Sequence, residues 1–564
     1  MFPYQLSREK YIQLYGPTKG DRIRLGDTDL IVEIEDDDIA TPLSQYGEEI
    51  KFGTGKVARD NMGQGSKADA EGAMDMVITN VVIIDYLKII KTCIGIKDGR
   101  IAVLGRAGNP DIQRGINMNI GPETDIISGE GLIATAGAID ACVHFTGPTQ
   151  ISEALASGIT TQIGGGSGPT VASIGSGSTP GADGVRNMLL ASENYPVNLG
   201  FLAKGNTGNI AALASQVNGG AMGFAVHEDW GANLEAIEII QKNFAGMPVY
   251  LHSDSLNESG YVDDTIKAIS EKKGPILCCV NDGHQPGVMK LITLPNVIPF
   301  TLASHTVHTF NAMKESSSFI AAVHNLDLYD ENERALARAR GFMSNHAATD
   351  ILHDSGAISI IATGPTRPGE LITRTWQLAH KMKQQRGPLE SDHGNDNNRV
   401  KRYIAKYTIC PAMACGISQS VGRLETGYLA DIVLWKPEMF GVKPHTIVKN
   451  GVIAMNQSGM SGMALPGLQP VRSQLMYGAS GDARKNSLNF LSAESVRAGV
   501  VRTLNLNKNV YSPLRQGITK ADMPHNSRTP TVDVNHNAQV IVDGVHLIGE
   551  PAVSLPLARR YFLF

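Results

Sequence analysis

The feature that constrains the fold most is a set of eight short apolar runs that alternate with amphipathic stretches. Each run ends in polar residues or glycine, and most are followed by a helical pattern. The runs are AIDACVHF, ITTQIGGG, NLGFLAKG, AMGFAVHED, PVYLHSD, PILCCVND, NVIPFTLAS and AISIIATG. Eight strands, each with a following helix, are typical of a (β/α)8 barrel.

A doubly wound open sheet is the alternative fold. Such a sheet binds its ligand at one switch point, where the strand order reverses. Here polar residues recur at nearly every run's end, which favours the barrel. Barrel enzymes place their functional groups at the carboxyl ends of the strands. His144, His227, His252 and Asp254 occupy such ends.

Strand-rich segments flank the alternating region on both sides. Residues 76–85 and 93–105 are β-branched, and an Asp-Gly turn lies inside the second run. Residues 431–435 and 446–454 are similar and contain an Asn-Gly turn. Both dipeptides tolerate the positive φ angles of tight hairpins. We therefore predict one β-rich domain interrupted by an insertion: residues 1–133, a barrel over 134–420 with a flap near 310–345, and a return over 421–564 that ends in a loop-rich segment.

Between the barrel and the second β segment, NRVKRYIAKYTICPAMACGI predicts two helices broken at Pro411. Proline interrupts helices because it lacks the amide hydrogen and clashes with the preceding turn.

Composition excludes several classes of protein. The net charge of −5 and the pI of about 6.3 exclude a strongly basic nucleic-acid-binding protein. No run reaches the roughly 18 apolar residues of a membrane span, and residues 1–16 lack the apolar core of a signal peptide. The 6 cysteines show no zinc-finger spacing and are too few for a disulfide framework in 564 residues. We expect a cytoplasmic protein.

Several long motifs resemble those of the urease α subunit, in the same order and over essentially the whole chain. They include YGPTKGDRIRLGDTDL, EEIKFGTGKVARDNMGQ, VHEDWGA, LHSDSLNESGYVDDT, RTWQLAHKMK, DNNRVKRYIAKYTICPA and the terminal RYFLF. The resemblance implies an amidohydrolase-type barrel inserted in a β domain, in agreement with the pattern above. It also implies the family function, the hydrolysis of urea at a dinickel centre bridged by a carbamylated lysine.

The expected metal ligands are only partly present in this sequence. The resemblance implies ligands at six positions, and histidine is kept at His144 and His252. The other four positions carry Cys142, Ala225, Val280 and Gly364, where the family has histidine, the bridging lysine, histidine and aspartate. Alanine has no nitrogen to carbamylate. His284 and Asp354, the nearest other donors to positions 280 and 364, are poor substitutes.

Residues that contact substrate in the family are better kept. By resemblance, His227 matches the histidine that orients the substrate, His324 matches the general acid of the mobile flap, and Arg340 matches its partner residue. Residues that contact substrate are kept while most metal ligands are missing. This pattern favours a chain that inherited the site from an active relative but no longer hydrolyses urea.

Our main hypothesis is therefore a urease-α-like subunit that has lost dinickel urea hydrolysis and has a binding or structural role. The alternative is an active hydrolase of urea or another small amide with a rebuilt metal site. Cys142, His144 and His252 would offer one thiolate and two imidazoles, a donor set that a single catalytic zinc accepts. A third hypothesis is that Cys142 is a nucleophile, activated by His144 or His227.

The resemblance also implies assembly. We expect a homo-oligomer with trimeric symmetry, or a complex with β- and γ-like urease chains, and neither a nucleic acid nor a membrane as partner.

Overall fold

A computed structural model gives the architecture. It describes residues 5–40, 46–51, 58–253, 261–270, 275–281, 286–311, 317–318, 320–322, 324, 326–339, 343–458, 472–514 and 517–558. Eight parallel strands form a nearly closed barrel in the order of the chain. They are β1 (Ala138–His144), β2 (Ile159–Gly165), β3 (Asn198–Lys204), β4 (Gly223–His227), β5 (Val249–His252), β6 (Ile276–Cys279), β7 (Val297–Leu302) and β8 (Ile360–Ala362). The predicted barrel and all eight of its strands are confirmed.

The barrel closes between β8 and β1. The amide of Gly364 donates to the carbonyl of Cys142 at 2.7 Å, and the amide of His144 donates to the carbonyl of Gly364 at 3.2 Å. These bonds join the carboxyl ends of the last and first strands. The strand end of β8 and the predicted ligand positions of β1 therefore lie side by side.

Helices follow the strands and cover the barrel's outer face. Asn209 and Asn233 cap two of these helices, because their side chains accept hydrogen bonds from amides of the first turn. The helices after successive strands are Thr149–Ala156, Gly181–Ser192, Ile210–Asn218, Leu234–Asn243, Val262–Ser270, the 3-10 helix Pro286–Thr293, the pair Glu331–Ala339 and Met343–Asp354, and Glu370–Arg386. Strands β1, β2 and β4 to β8 are buried along their whole length, and apart from β2 their sequences are accordingly mostly apolar.

A second, ten-stranded sheet joins both ends of the chain. Strand Ile133–Ala136, just before the barrel, pairs with Ile432–Trp435, which comes after it. Asp98 and Gly99 form one hairpin turn of this sheet, and Asn450 and Gly451 form another, all four with positive φ as expected. The strands are Asp36–Asp37, Met76–Ile84, Ile89–Lys97, Arg100–Gly105, Asp125–Ser128, Ile133–Ala136, Ile432–Trp435, Thr446–Lys449, Val452–Ser458 and Arg472–Leu475. The exact domain boundaries at 133 and 420 stay predictions.

The prediction of a helix break at Pro411 is wrong. Two helices are present, but they are Asn397–Ala405 and Ile409–Ala414, so the break lies before residue 409. Pro411 is in the first turn of the second helix, where the amide that it lacks has no partner inside the helix.

The segment after the β sheet returns to the barrel. Strand Leu488–Phe490 pairs with β3 and with Asn509–Tyr511. Three short strands, Val532–Val534, Val540–Val542 and Val545–His546, form a separate antiparallel sheet. No helix in the part of the chain that the structure describes is long and apolar enough to cross a membrane.

Candidate functional site

Two histidines meet at the carboxyl ends of β4 and β5. His227 and His252 are register partners across these strands. Their rings stack with centroids 4.0 Å apart and planes 11° from parallel. Both side chains are buried, and the ring of Phe300 from β7 packs edge-on against His252. The sequence placed both histidines at strand ends, and the structure brings them together.

Asp229 fixes the proton position on His227. The Nδ1 atom of His227 lies 2.9 Å from a carboxylate oxygen of Asp229. A carboxylate accepts hydrogen bonds, so Nδ1 is the ring nitrogen that donates to Asp229, and Nε2 is the ring nitrogen that remains for another partner. Nε2 is buried and has no hydrogen-bond partner in the part of the chain that the structure describes. The backbone amide of His227 donates to Oδ1 of Asn206 at 2.9 Å, which holds the strand end in place.

His144 is turned toward the loop that follows β2. Its Nδ1 lies 3.1 Å from the carbonyl of Ile174. A Cβ atom on Gly177 would overlap the imidazole, so the backbone of Gly177 lies directly against the ring. Burial lowers the pKa of His144 to about 4. His144 therefore is a neutral side chain that anchors the loop.

Cys142 lies in the apolar core. Burial and the neighbouring Asp140 and Cys415 raise the pKa of its thiol far above the ordinary value. Such a thiol stays protonated, whereas a nucleophile or metal ligand must be a thiolate. Asp140 is engaged as well, because the amide and hydroxyl of Thr363 both donate to its carboxylate. This environment argues against Cys142 as the nucleophile.

The remaining replaced positions have no donor and little room for one. Ala225 and Val280 are buried. Gly364 has a φ of +62°, and a Cβ there would lie 2.9 Å from Cδ2 of Leu302. An aspartate at 364 would therefore strain the backbone and displace Leu302.

We call the opening of the barrel at the carboxyl ends of its strands the barrel mouth. The residues there do not fit a dinickel centre. In the described ranges, no three His, Cys, Asp or Glu side chains are placed to hold one metal ion. Cys142, His144 and His252, the proposed donors of a single zinc, are thus not gathered around one point. His284 and Asp254 fall outside these ranges. Without a bridging carboxylate at Ala225, two ions would also lack the charge that holds them together.

The ring of His324 contacts Trp230, which lies just after β4. The ring of His324 stacks on the Trp230 indole with centroids 6.0 Å apart and planes at 12°. The indole in turn lies against Gly175, where a Cβ would overlap Cζ2 of the ring. The sequence predicted His324 at this site but gave no role to Trp230 or Gly175. Arg340, its predicted partner, lies outside the described residues.

A second histidine cluster, after β7, was not predicted. The ring of His346 lies 5.7 Å from the ring of His305 and 6.2 Å from that of His308. The Nδ1 atom of His346 lies 3.2 Å from the carbonyl of His305. Burial lowers the pKa of His305 to about 3 and that of His308 to about 4. The signal in the sequence was the pair of histidines in SHTVHTF directly after a strand end.

Comparisons with known proteins agree with this architecture. Residues 133–481 match the model of the amidohydrolase family, and residues 4–127 match the N-terminal domain of the urease alpha subunit.

Solved structures of similar shape include a D-hydantoinase, at 14% identity and a TM-score of 0.48, with 68% of this chain and 95% of that chain covered. A dihydropyrimidinase from Brevibacillus agri NCHU1002 has 12% identity and a TM-score of 0.48, with 68% and 95% covered. An L-hydantoinase from Arthrobacter aurescens has 15% identity and a TM-score of 0.45, with 71% and 98% covered.

The close contact between Gly175 and the Trp230 indole predicts that one added methyl group at residue 175 lowers the stability of the protein. Gly175→Ala should displace the Trp230 indole and lower the free energy of unfolding by about 1–3 kcal/mol, the usual cost of overpacking. Gly147→Ala is the matched control, since a Cβ there meets nothing within 4 Å. Chemical denaturation monitored by tryptophan emission measures both variants. Equal stability of the two would show that the indole does not rest on Gly175.

Proposed function

The chain belongs to the amidohydrolase family, and on that premise we propose that it is a urease-α-like subunit that no longer hydrolyses urea at a dinickel centre. Its barrel mouth instead binds a small amide ligand. The observation that carries the proposal is the state of the expected ligand positions. Ala225 and Gly364 offer no donor, and the thiol of Cys142 is buried beside Asp140 and Cys415.

The retained groups support binding. Asp229 orients the ring of His227, whose buried Nε2 has no hydrogen-bond partner among the described residues, and the ring of His252 stacks against it. An imidazole nitrogen that carries no proton accepts a hydrogen bond from the N–H group of an amide. A hydrolase also needs an activated water and a group that stabilises negative charge in the transition state. Of the carboxylates described near these strands, Asp140 accepts from Thr363, Glu228 accepts from Thr265 and Asp229 pairs with His227.

We expect purified protein, expressed with nickel in the medium, to contain far less than one nickel per chain and to release no ammonia from urea. Ala225→Lys should behave in the same way, because a carbamate forms stably only when metals capture it and the other ligands would still be missing. Elemental analysis and an ammonia assay measure both proteins. Nickel-dependent ammonia release by either protein would contradict the proposal and favour the active amidohydrolase.

We also propose that the chain assembles with copies of itself in trimeric symmetry or with β- and γ-like chains, in the cytoplasm. Several large apolar side chains are strongly exposed on the single chain, and a contact between chains would bury them. The most exposed include Tyr329 at 97%, Tyr477 at 99%, Phe310 at 77% and Val553 at 90%. Six buried free thiols suit a reducing compartment.

Light scattering after size-exclusion chromatography tests the assembly. The chain alone at micromolar concentration should elute as a trimer or a multiple of it. A monomer that stays monomeric when β- and γ-like urease chains are added would contradict the proposed assembly.

A further inference from the structure

A cavity of about 440 Å³ lies at the amino-terminal end of the barrel, opposite the barrel mouth. Its wall includes the residues that directly precede four successive strands: Met222 before β4, Pro248 before β5, Pro275 before β6 and Asn296 before β7. The starts of parallel strands meet at one end of a barrel, and the histidines of the mouth stand at the other end. The cavity is therefore separate from the barrel mouth.

The segment that returns from the β-rich sheet to the barrel covers the cavity on its outer side. Ser492 and Ile518 of this segment belong to the lining. The amide of Ser492 donates to the carbonyl of Ala221 at 3.3 Å, and the amide of Lys520 donates to the carbonyl of Pro295 at 3.4 Å. Both bonds attach the segment to residues next to the strand starts, so the cover is fixed to the barrel at two points.

Most of the lining is apolar. Met222, Met247 and Val249 are buried on the barrel side, and Phe244 and Ile518 are partly buried against the same core. Apolar cavities accept small aromatic molecules, and methionine sulfur makes favourable contacts with aromatic rings. The volume is within the range of small-molecule sites. The lining therefore favours an aromatic ligand.

The charge in the lining is paired within the chain. Among the described lining residues Glu494 is the ionisable one, and its carboxylate lies 2.8 Å from the guanidinium of Arg497. The hydroxyl of Thr519, which also lines the cavity, donates to the carboxylate of Asp522 at 2.9 Å. The described lining thus offers no unpaired charge to an ion, which favours an uncharged ligand.

Gln241 supplies a hydrogen-bond acceptor to this apolar wall. It lies in the last turn of helix Leu234–Asn243 and lines the cavity. Its Oε1 atom is buried and has no hydrogen-bond partner among the described residues. A buried carbonyl oxygen without a donor is unfavourable, and an N–H group of a ligand would satisfy it. Such a site discriminates against a molecule of the same shape that lacks the N–H group.

We propose that this cavity is a second ligand site, which binds an uncharged aromatic molecule with an N–H group. The rings pack between Met222, Phe244 and Ile518, and the N–H group donates to Oε1 of Gln241. The site lies at the opposite end of the barrel from the mouth, so it does not depend on what the mouth binds.

Two probes of the same two-ring shape test the inference, since indole carries an N–H group and benzofuran has an oxygen in its place. Calorimetric titration of the full chain should show indole binding about tenfold more tightly than benzofuran, because indole satisfies a buried acceptor. Gln241→Met should abolish this preference. Gln13→Met, at an exposed glutamine of helix Arg8–Tyr15, is the matched control and should keep it.

A cavity-filling variant tests the location. Ile518→Trp should abolish the binding of both probes, and thermal unfolding of this variant checks that it is folded. Absence of indole binding to the unchanged protein, or indole binding that folded Ile518→Trp retains, would overturn the site. Equal affinity of the two probes for the unchanged protein, or a preference that survives in Gln241→Met, would overturn the proposed ligand. The glutamine variants decide the ligand class even where Ile518→Trp does not fold.

Discussion

Closure of the barrel is the constraint on which the site depends. The last strand joins the first through backbone hydrogen bonds between Gly364 and the end of β1. The carbonyl of Cys142 accepts one of these bonds, so two of the replaced ligand positions, 142 and 364, are joined through their backbones. Gly364 reaches this bond with a positive φ that an L-amino acid with a side chain rarely adopts. The geometry that closes this barrel is thus unfavourable for the aspartate that the family resemblance places there.

Glycines also allow close packing elsewhere around the barrel mouth. Gly177 lets the loop after β2 approach the ring of His144, and Gly175 gives the Trp230 indole its place. His144 then bonds to the backbone of that loop through Nδ1. His144, which the resemblance places among the metal ligands, is here packed against this loop. In contrast, Asp229 and Asn206 hold His227 from two sides, and its Nε2 has no hydrogen-bond partner among the described residues.

The sequence predicted the fold in detail because the signals were local. Eight apolar runs with polar ends predicted eight strands, and Asp98-Gly99 and Asn450-Gly451 predicted two hairpin turns. The predicted helix break at Pro411 was wrong, because proline is tolerated in a first turn and the pattern alone did not locate that turn.

For the site, the sequence placed His227 and His252 correctly at neighbouring strand ends. It could not show that Cys142 lies near Cys415, since such a contact joins segments that are far apart in the sequence. The cluster of His305, His308 and His346 was missed for the same reason, because the helix that brings His346 to β7 lies some 40 residues further along the chain.

The central claim is that the barrel mouth has exchanged metal coordination for packing and ligand binding. A crystal structure of the protein soaked in nickel, with anomalous data collected at the nickel absorption edge, tests this claim most directly. The account predicts no anomalous peak at the mouth, with the His144 ring against Gly177 and the His227 ring bonded to Asp229. A nickel peak coordinated by His144 and His252 would contradict it.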